Sequence, residues 1–189
     1  MSVVDFRNDP RISKDDRETL RDHCRELNDP LSLAKKLGVK VFCEPLPDGL
    51  SGHLIYDESR GSRSGFVIVV NSNHPVGRQQ FTIAHELGHF VLHRNTPQFR
   101  HAVRSSKEGK VIPFPGANRQ ALNFEGVDLP RGQEREADIF AVAVLLPPGA
   151  TRRAPEYQMG QPCALARRLR LSTTMVVRRF EELSFGETF

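Results

Sequence analysis

The spacing of apolar positions changes period several times along the chain, and each change marks an element. From Ser13, a capping residue, the pattern is helical to about Leu27, with Leu20, Cys24 and Leu27 on one face. Residues 1–12 lack such a pattern and read as frayed. Asp29-Pro30 starts a short second helix through Leu31, Leu33, Ala34 and Leu37, which Gly38 closes. The period then drops to that of strands. Val39–Cys43 is rich in β-branched residues; Ser51–Asp57 and Gly65–Asn71 read as paired antiparallel strands around the loop Glu58–Ser64.

Asn71–Pro75 turns the chain into a long helix whose opening turn holds Gly77 and Arg78. In it Phe81, Ile83, Ala84, Leu87, Phe90, Val91 and Leu92 are apolar on nearly every side, which predicts a buried helix. A second helix is predicted over Gln133–Leu145, with Ala137, Phe140, Ala141, Val144 and Leu145 at helical spacing and Pro147-Pro148 as its stop. Between them, Arg94–Arg131 holds four prolines and several basic residues, and a connection of that length is either functional or loosely ordered. Arg152-Arg153 and Pro155 read as a broken basic link. Pro162 opens a helix through Arg170, and Leu171-Ser172 caps another through Leu183, with Leu165, Leu169, Val176, Val177 and Phe180 as their buried set. The fold class is α+β: a small antiparallel or mixed sheet packed on the long helix, with a C-terminal helical pair.

Composition narrows the picture little. At 189 residues the chain reads as one domain: N-terminal helices and sheet over 13–75, two polar-bearing helices and their connection over 76–148, and the helix pair over 160–184. Twenty-seven basic against 23 acidic residues give a net charge of +4, too mild for a dedicated nucleic-acid module and compatible with an acidic partner. No run approaches 18 apolar residues and the first residues lack a signal-peptide pattern, so no membrane is expected. Three widely spaced cysteines without a C-x-x-C read as reduced, and the protein as cytoplasmic.

The chemistry lies in the long helix, at His85-Glu86-Leu87-Gly88-His89. Residues four apart share a helical face, so His85 and His89 can point at one ion, and neutral imidazoles suit Zn2+. Glu86 is not a ligand in this reading; it is placed as the general base for a water activated on the metal. The alternative is a buried polar network without metal. Three ionisable residues within five positions of an apolar helix are costly to bury unless paired or bound to a cation, which favours the metal. Gly88 suggests close approach of another backbone.

A catalytic zinc usually has three protein ligands and one open position. His93 lies two turns past His85, which makes it a poor third ligand; it reads as an outer partner of the site or a surface residue. The helix at 133–145 carries Glu134 and Asp138 on one face; Glu134 is assigned as third ligand and Asp138 as outer acceptor for a ligand histidine's free N–H. Glu136 points elsewhere, solvated or paired with an arginine.

The stretch Gln80–His89, followed by Glu134-x-x-x-Asp138-x-Phe140-Ala141 and Leu145-Leu146-Pro147, resembles the ImmA/IrrE metallo-endopeptidase family over roughly Asn71 to Pro148. The resemblance implies a zincin-like (gluzincin-type) fold with zinc on His85, His89 and Glu134 and catalysis by Glu86. It also implies action on a regulatory protein such as a helix-turn-helix repressor. The family's usual Leu-Leu-Met-Pro is here Leu145-Leu-Pro-Pro148.

Around this centre the sequence leaves alternatives open. Tyr157, His93 or His101 are candidates for stabilising an oxyanion. Gly52–Tyr56 is either a substrate-pairing edge or a purely structural hairpin strand. The segment 94–131 is either a cover over the cleft or a connector. The arginine-rich C-terminal pair imitates a helix-turn-helix, but packing is favoured over DNA contact. The alternative function is a zinc-bound regulator that binds a repressor or DNA without cutting.

Overall fold

A computed structural model describes residues 9–96 and 131–185. The first helix, α1 (Lys14–His23), is capped by Ser13, whose hydroxyl accepts the Asp16 N–H at 3.2 Å. It ends a turn earlier than its apolar pattern suggests, because the Asn28 amide donates to the His23 carbonyl at 2.8 Å and folds the chain back. Next, α2 (Pro30–Leu37) starts on the Asp29 cap and stops at Gly38, which takes the left-handed conformation with φ 77°. Residues 9–12 are not frayed: Ile12 is buried in the main core, and Arg11 pairs with both Asp9 and Glu136. Residues 1–8, also expected to fray, lie outside the described residues.

Three strands form one mixed sheet in the order β1 (Lys40–Glu44), β3 (Phe66–Asn71), β2 (Gly52–Tyr56). The expected antiparallel pair is present, with Leu54 opposite Ile68, and β1 adds in parallel on the other side of β3. The central strand is buried throughout and alternates strictly: Ile68 and Val70 enter the main core, Val67 and Val69 a small cluster with Ile55, Phe42 and Leu46.

The long helix α3 (Val76–His93) divides the interior. Ile83, Leu87, Phe90 and Val91 face the main core with Leu33, Leu54 and Phe140, whereas Ala84 and Phe81 face a second cluster built on Leu146, Leu165, Val176 and Phe180. Against it packs α4 (Arg131–Leu145). A Cβ on Gly88 would lie 3.0 Å from the Ala137 Cα and 3.2 Å from a Phe140 ring carbon, so glycine lets the two helix backbones touch. Its helix penalty of about 1 kcal/mol is offset by that approach.

After α4 the broken link is helical: α5 (Pro148–Arg153) and α6 (Pro155–Gln158) each begin at a proline in the first turn, where a missing N–H costs nothing. The pair α7 (Pro162–Leu169) and α8 (Thr173–Phe185) follows, joined at Arg170, a non-glycine residue with φ 55°. Leu165, Val176 and Phe180 are buried as expected, Leu169 and Val177 only partly. Arg179, one of the arginines of this pair, is 4 % exposed, because its Nε donates to the Leu146 carbonyl at 3.0 Å and its Nη1 to Glu182 at 3.0 Å. Among the described residues no helix is long and apolar enough to cross a membrane, and Cys24, Cys43 and Cys163 form no disulfide.

Candidate metal centre

One turn apart on α3, His85 and His89 direct their Nε2 atoms toward each other, 3.0 Å apart. Glu134, in the first turn of α4, closes the group, with Oε2 at 3.4 Å from His85 Nε2 and Oε1 at 3.4 Å from His89 Nε2. Among the described residues this trio forms a group placed to hold a metal ion, one ligand atom from each lying within 4.8 Å of the others. The spacing suits a small ion: bonds of about 2.0–2.1 Å in a tetrahedron set ligand atoms about 3.3 Å apart.

The outer nitrogens of the two rings decide which atoms are free to bind. His85 Nδ1 lies 2.9 Å from Asp138 Oδ1, an acceptor when ionised, so Nδ1 donates and Nε2 is left with its lone pair. His89 Nδ1 lies 3.1 Å from His93 Nδ1, and His93 Nε2 lies 2.9 Å from Glu136 Oε2. The Glu136 carboxylate can only accept, so His93 donates from Nε2, accepts at Nδ1, and makes His89 a donor there. His89 Nε2 is therefore also a lone pair. Beyond Glu136 the chain of bonds continues to Arg11, at 2.7 Å, and from Arg11 to Asp9, also at 2.7 Å.

Two lone pairs facing each other at 3.0 Å need a positive charge between them. Without a metal, a proton supplies it. Burial pushes the His85 imidazole down, but hydrogen bonds to Asp138 and Glu134 and the nearby Glu86 charge raise it to about 10. His89 moves the other way, held well below its ordinary value by burial and by the charges of its histidine neighbours. His93 is lowered by burial against the pull of Glu136. A divalent cation and the His85 proton thus compete for one place, and the donor set (two imidazoles and a carboxylate with Oε1 lacking a hydrogen-bond partner) fits a zinc-like ion.

Glu86 is 1 % exposed. Burial raises its carboxyl to about 7; the Glu134 charge adds to this, while His85 and a backbone hydrogen bond from Leu54 on β2 oppose it. Its Oε2 has no hydrogen-bond partner among the described residues. A carboxylate poised near neutrality with one oxygen unclaimed has the protonation behaviour of a general base.

The remaining expected site residues are placed differently. His93 is fully buried behind His89 with both ring nitrogens engaged, so it has no donor to offer an oxyanion. Tyr157 packs edge-on against Phe180 in the C-terminal cluster, its hydroxyl 3.4 Å from Ser184 Oγ. His101 and the rest of 97–130, including any cover over the cleft, lie outside the described residues. Two participants were only partly legible in the sequence. Glu136 has its arginine, but that arginine is Arg11, 125 positions away. His93 links Glu136 to the ligand ring, and its spacing of four from His89 was the available signal.

No curated protein matches the chain. His85, Glu86 and His89 lie within residues 34–112, whereas Glu134 and Asp138 lie beyond them and join the group through the packing of α4 on α3. Residues 34–112 match the family model Peptidase M78, the IrrE N-terminal-like domain, which bears out the resemblance to the ImmA/IrrE peptidases over that stretch.

Proposed function

We propose that the chain is a zinc-dependent endopeptidase with a zincin-like fold, acting in the cytoplasm on a regulatory protein such as a helix-turn-helix repressor. The observation that carries this reading is the convergence of two imidazole lone pairs and the Glu134 carboxylate, with buried Glu86 next to the first ligand. His85, His89 and Glu134 hold the ion, and Asp138 and His93 fix the ring orientations. When bound, the ion is a Lewis acid that lowers the pKa of water toward about 7 and polarises a carbonyl. Glu86 takes a proton from the attacking water and returns it to the leaving amine. The low-dielectric surroundings keep its carboxyl near neutrality, where both transfers are feasible. Strand β2, at the edge of the sheet and bonded through Leu54 to Glu86, is the natural partner for an extended substrate backbone.

Metal content by mass spectrometry, combined with hydrolysis of a peptide pool, tests the reading. Wild type should carry about one zinc per chain and cut peptides. Glu86→Gln should keep the zinc and lose roughly 100- to 10,000-fold in rate. A wild type that binds no added zinc would sink the proposal. Retained zinc with no hydrolysis by wild type would favour a non-cutting regulator, a reading supported by the exposed Arg167, Arg170 and Arg178 on the C-terminal pair.

A further inference from the structure

A cavity of about 800 Å³ lies beside the metal group, between the first turn of α3, the middle of α4 and the α7–α8 junction. Two of its lining residues belong to the site's surroundings: Asp138 bonds His85, and the Phe81 ring lies 6.3 Å from the His85 ring. The junction reaches this position because Gly77 has no side chain; a Cβ there would lie 2.5 Å from the Arg170 carbonyl oxygen. Phe81, Val142, Leu171 and Met175 make the walls apolar.

The charges in this cavity are unbalanced. It is lined by Arg78, Arg170, Arg178 and Arg179 but by only two acids, and both acids are committed, Asp138 to His85 and Glu182 to Arg179. Arg78, Arg170 and Arg178 are exposed and have no carboxylate partner among the described residues. Arg179 is buried, yet its Nη2 has no hydrogen-bond partner among the described residues. Arg179 thus lines an apolar-walled cavity with a buried guanidinium N–H left without an acceptor, and a carboxylate satisfies such a group best.

We propose that this cavity is a specificity pocket that takes an acidic side chain of the substrate polypeptide, its stem against Phe81 and Met175 and its carboxylate on Arg179. The inference rests on the peptidase reading and names the substrate's chemistry: an acidic residue within a few positions of the cut bond, since each extended residue spans about 3.3–3.6 Å. Nucleic-acid phosphate would meet the exposed arginines but not Arg179, whose side chain lies beneath the surface.

The test uses zinc-loaded full-length protein and a degenerate pool of acetylated, amidated peptides read by mass spectrometry. Cut sites should carry Asp or Glu at one fixed position from the bond, at least about tenfold over Asn or Gln. Arg179 also holds the Leu146 carbonyl, so the variant is Arg170→Glu with Arg178→Glu, both on the surface. The acidic-to-neutral ratio should drop about tenfold with zinc per chain unchanged, and Thr174→Trp, which fills the rim, should raise KM for acidic peptides. Arg167→Glu, outside the cavity, is the control and should leave the ratio alone. Cleavage indifferent to acidic residues, or displacement of an acidic peptide by duplex DNA, would overturn the pocket while leaving the peptidase reading intact. Should wild type cut nothing, fluorescence polarisation of labelled Glu- and Gln-containing peptides on zinc-loaded Glu86→Gln decides separately. Tighter binding of the Glu peptide, lost in the double variant, upholds the pocket; equal binding overturns it.

Discussion

His85 and His89 are the same residue type one helical turn apart, yet their surroundings differ. The side chain of His85 is 12 % exposed and bonds a carboxylate on the surface, Asp138, directly. His89 is fully buried and reaches its carboxylate, Glu136, only through His93. One ring rises to about 10 and the other falls well below its ordinary value. Burial alone lowers a histidine; a charged oxygen in contact reverses the sign, and a neutral imidazole inserted between them does not. The pair therefore accepts one proton in the absence of metal rather than two, which leaves a lone pair ready for an incoming cation.

The strongest way to break this comparison is to remove what the two rings share. Glu134→Ala deletes one of three proposed protein ligands, and zinc affinity measured by competition with a chelator should fall by at least about 100-fold, to near-zero metal after dialysis. Zinc retained at one per chain would transfer the third-ligand role to another carboxylate.

His23 isolates burial. It is fully buried, no carboxylate oxygen among the described residues bonds its ring, and desolvation, helped by Lys36, lowers it to about 4. The unfolded chain binds this proton at about 6.5, so between pH 6.5 and 4 the unfolded state holds more protons and stability falls as pH falls. The loss is on the order of 3 kcal/mol, complete near pH 4, and chemical denaturation at several pH values should show it flattened in His23→Gln. An identical pH slope in the variant would mean that burial does not set this histidine.

The outer partners sharpen the contrast. His93→Ala leaves His89 Nδ1 without an acceptor in a closed interior and should weaken zinc binding by about 10- to 100-fold. Asp138→Ala acts on a partly exposed ring, where water can replace the carboxylate, and should cost about tenfold or less. If the two losses were equal or reversed, burial would not be what distinguishes the two sides.

Much of the fold was legible because it is local. The Ser13 and Asp29 caps, the Gly38 stop, the alternation along β3 and the uniformly apolar α3 each depend on residues within a few positions of one another. Where the reading failed, the deciding partner was distant. Residues 9–12 seemed structureless because only one of Arg11's carboxylate partners, Asp9, is local; the other is Glu136. The burial of Arg179 could not be read locally, because the carbonyl it bonds belongs to Leu146, 33 positions back. The two helices after Pro147 were missed because their prolines were taken as breaks rather than first-turn residues.

The sequence by itself determined that His85 and His89 share one helical face, since a spacing of four is fixed by 3.6 residues per turn. It also determined that Gly88 would admit a second backbone. Only the tertiary structure decided which carboxylates face those histidines. Glu134, Glu136 and Asp138 are consecutive turn-mates on one short segment, and their roles diverge with the rotation of α4 on α3: Glu134 toward both Nε2 atoms, Asp138 to His85, Glu136 to His93. That rotation is set by the contact of Gly88 with Ala137 and Phe140, a packing relation between residues some fifty positions apart that no local pattern encodes.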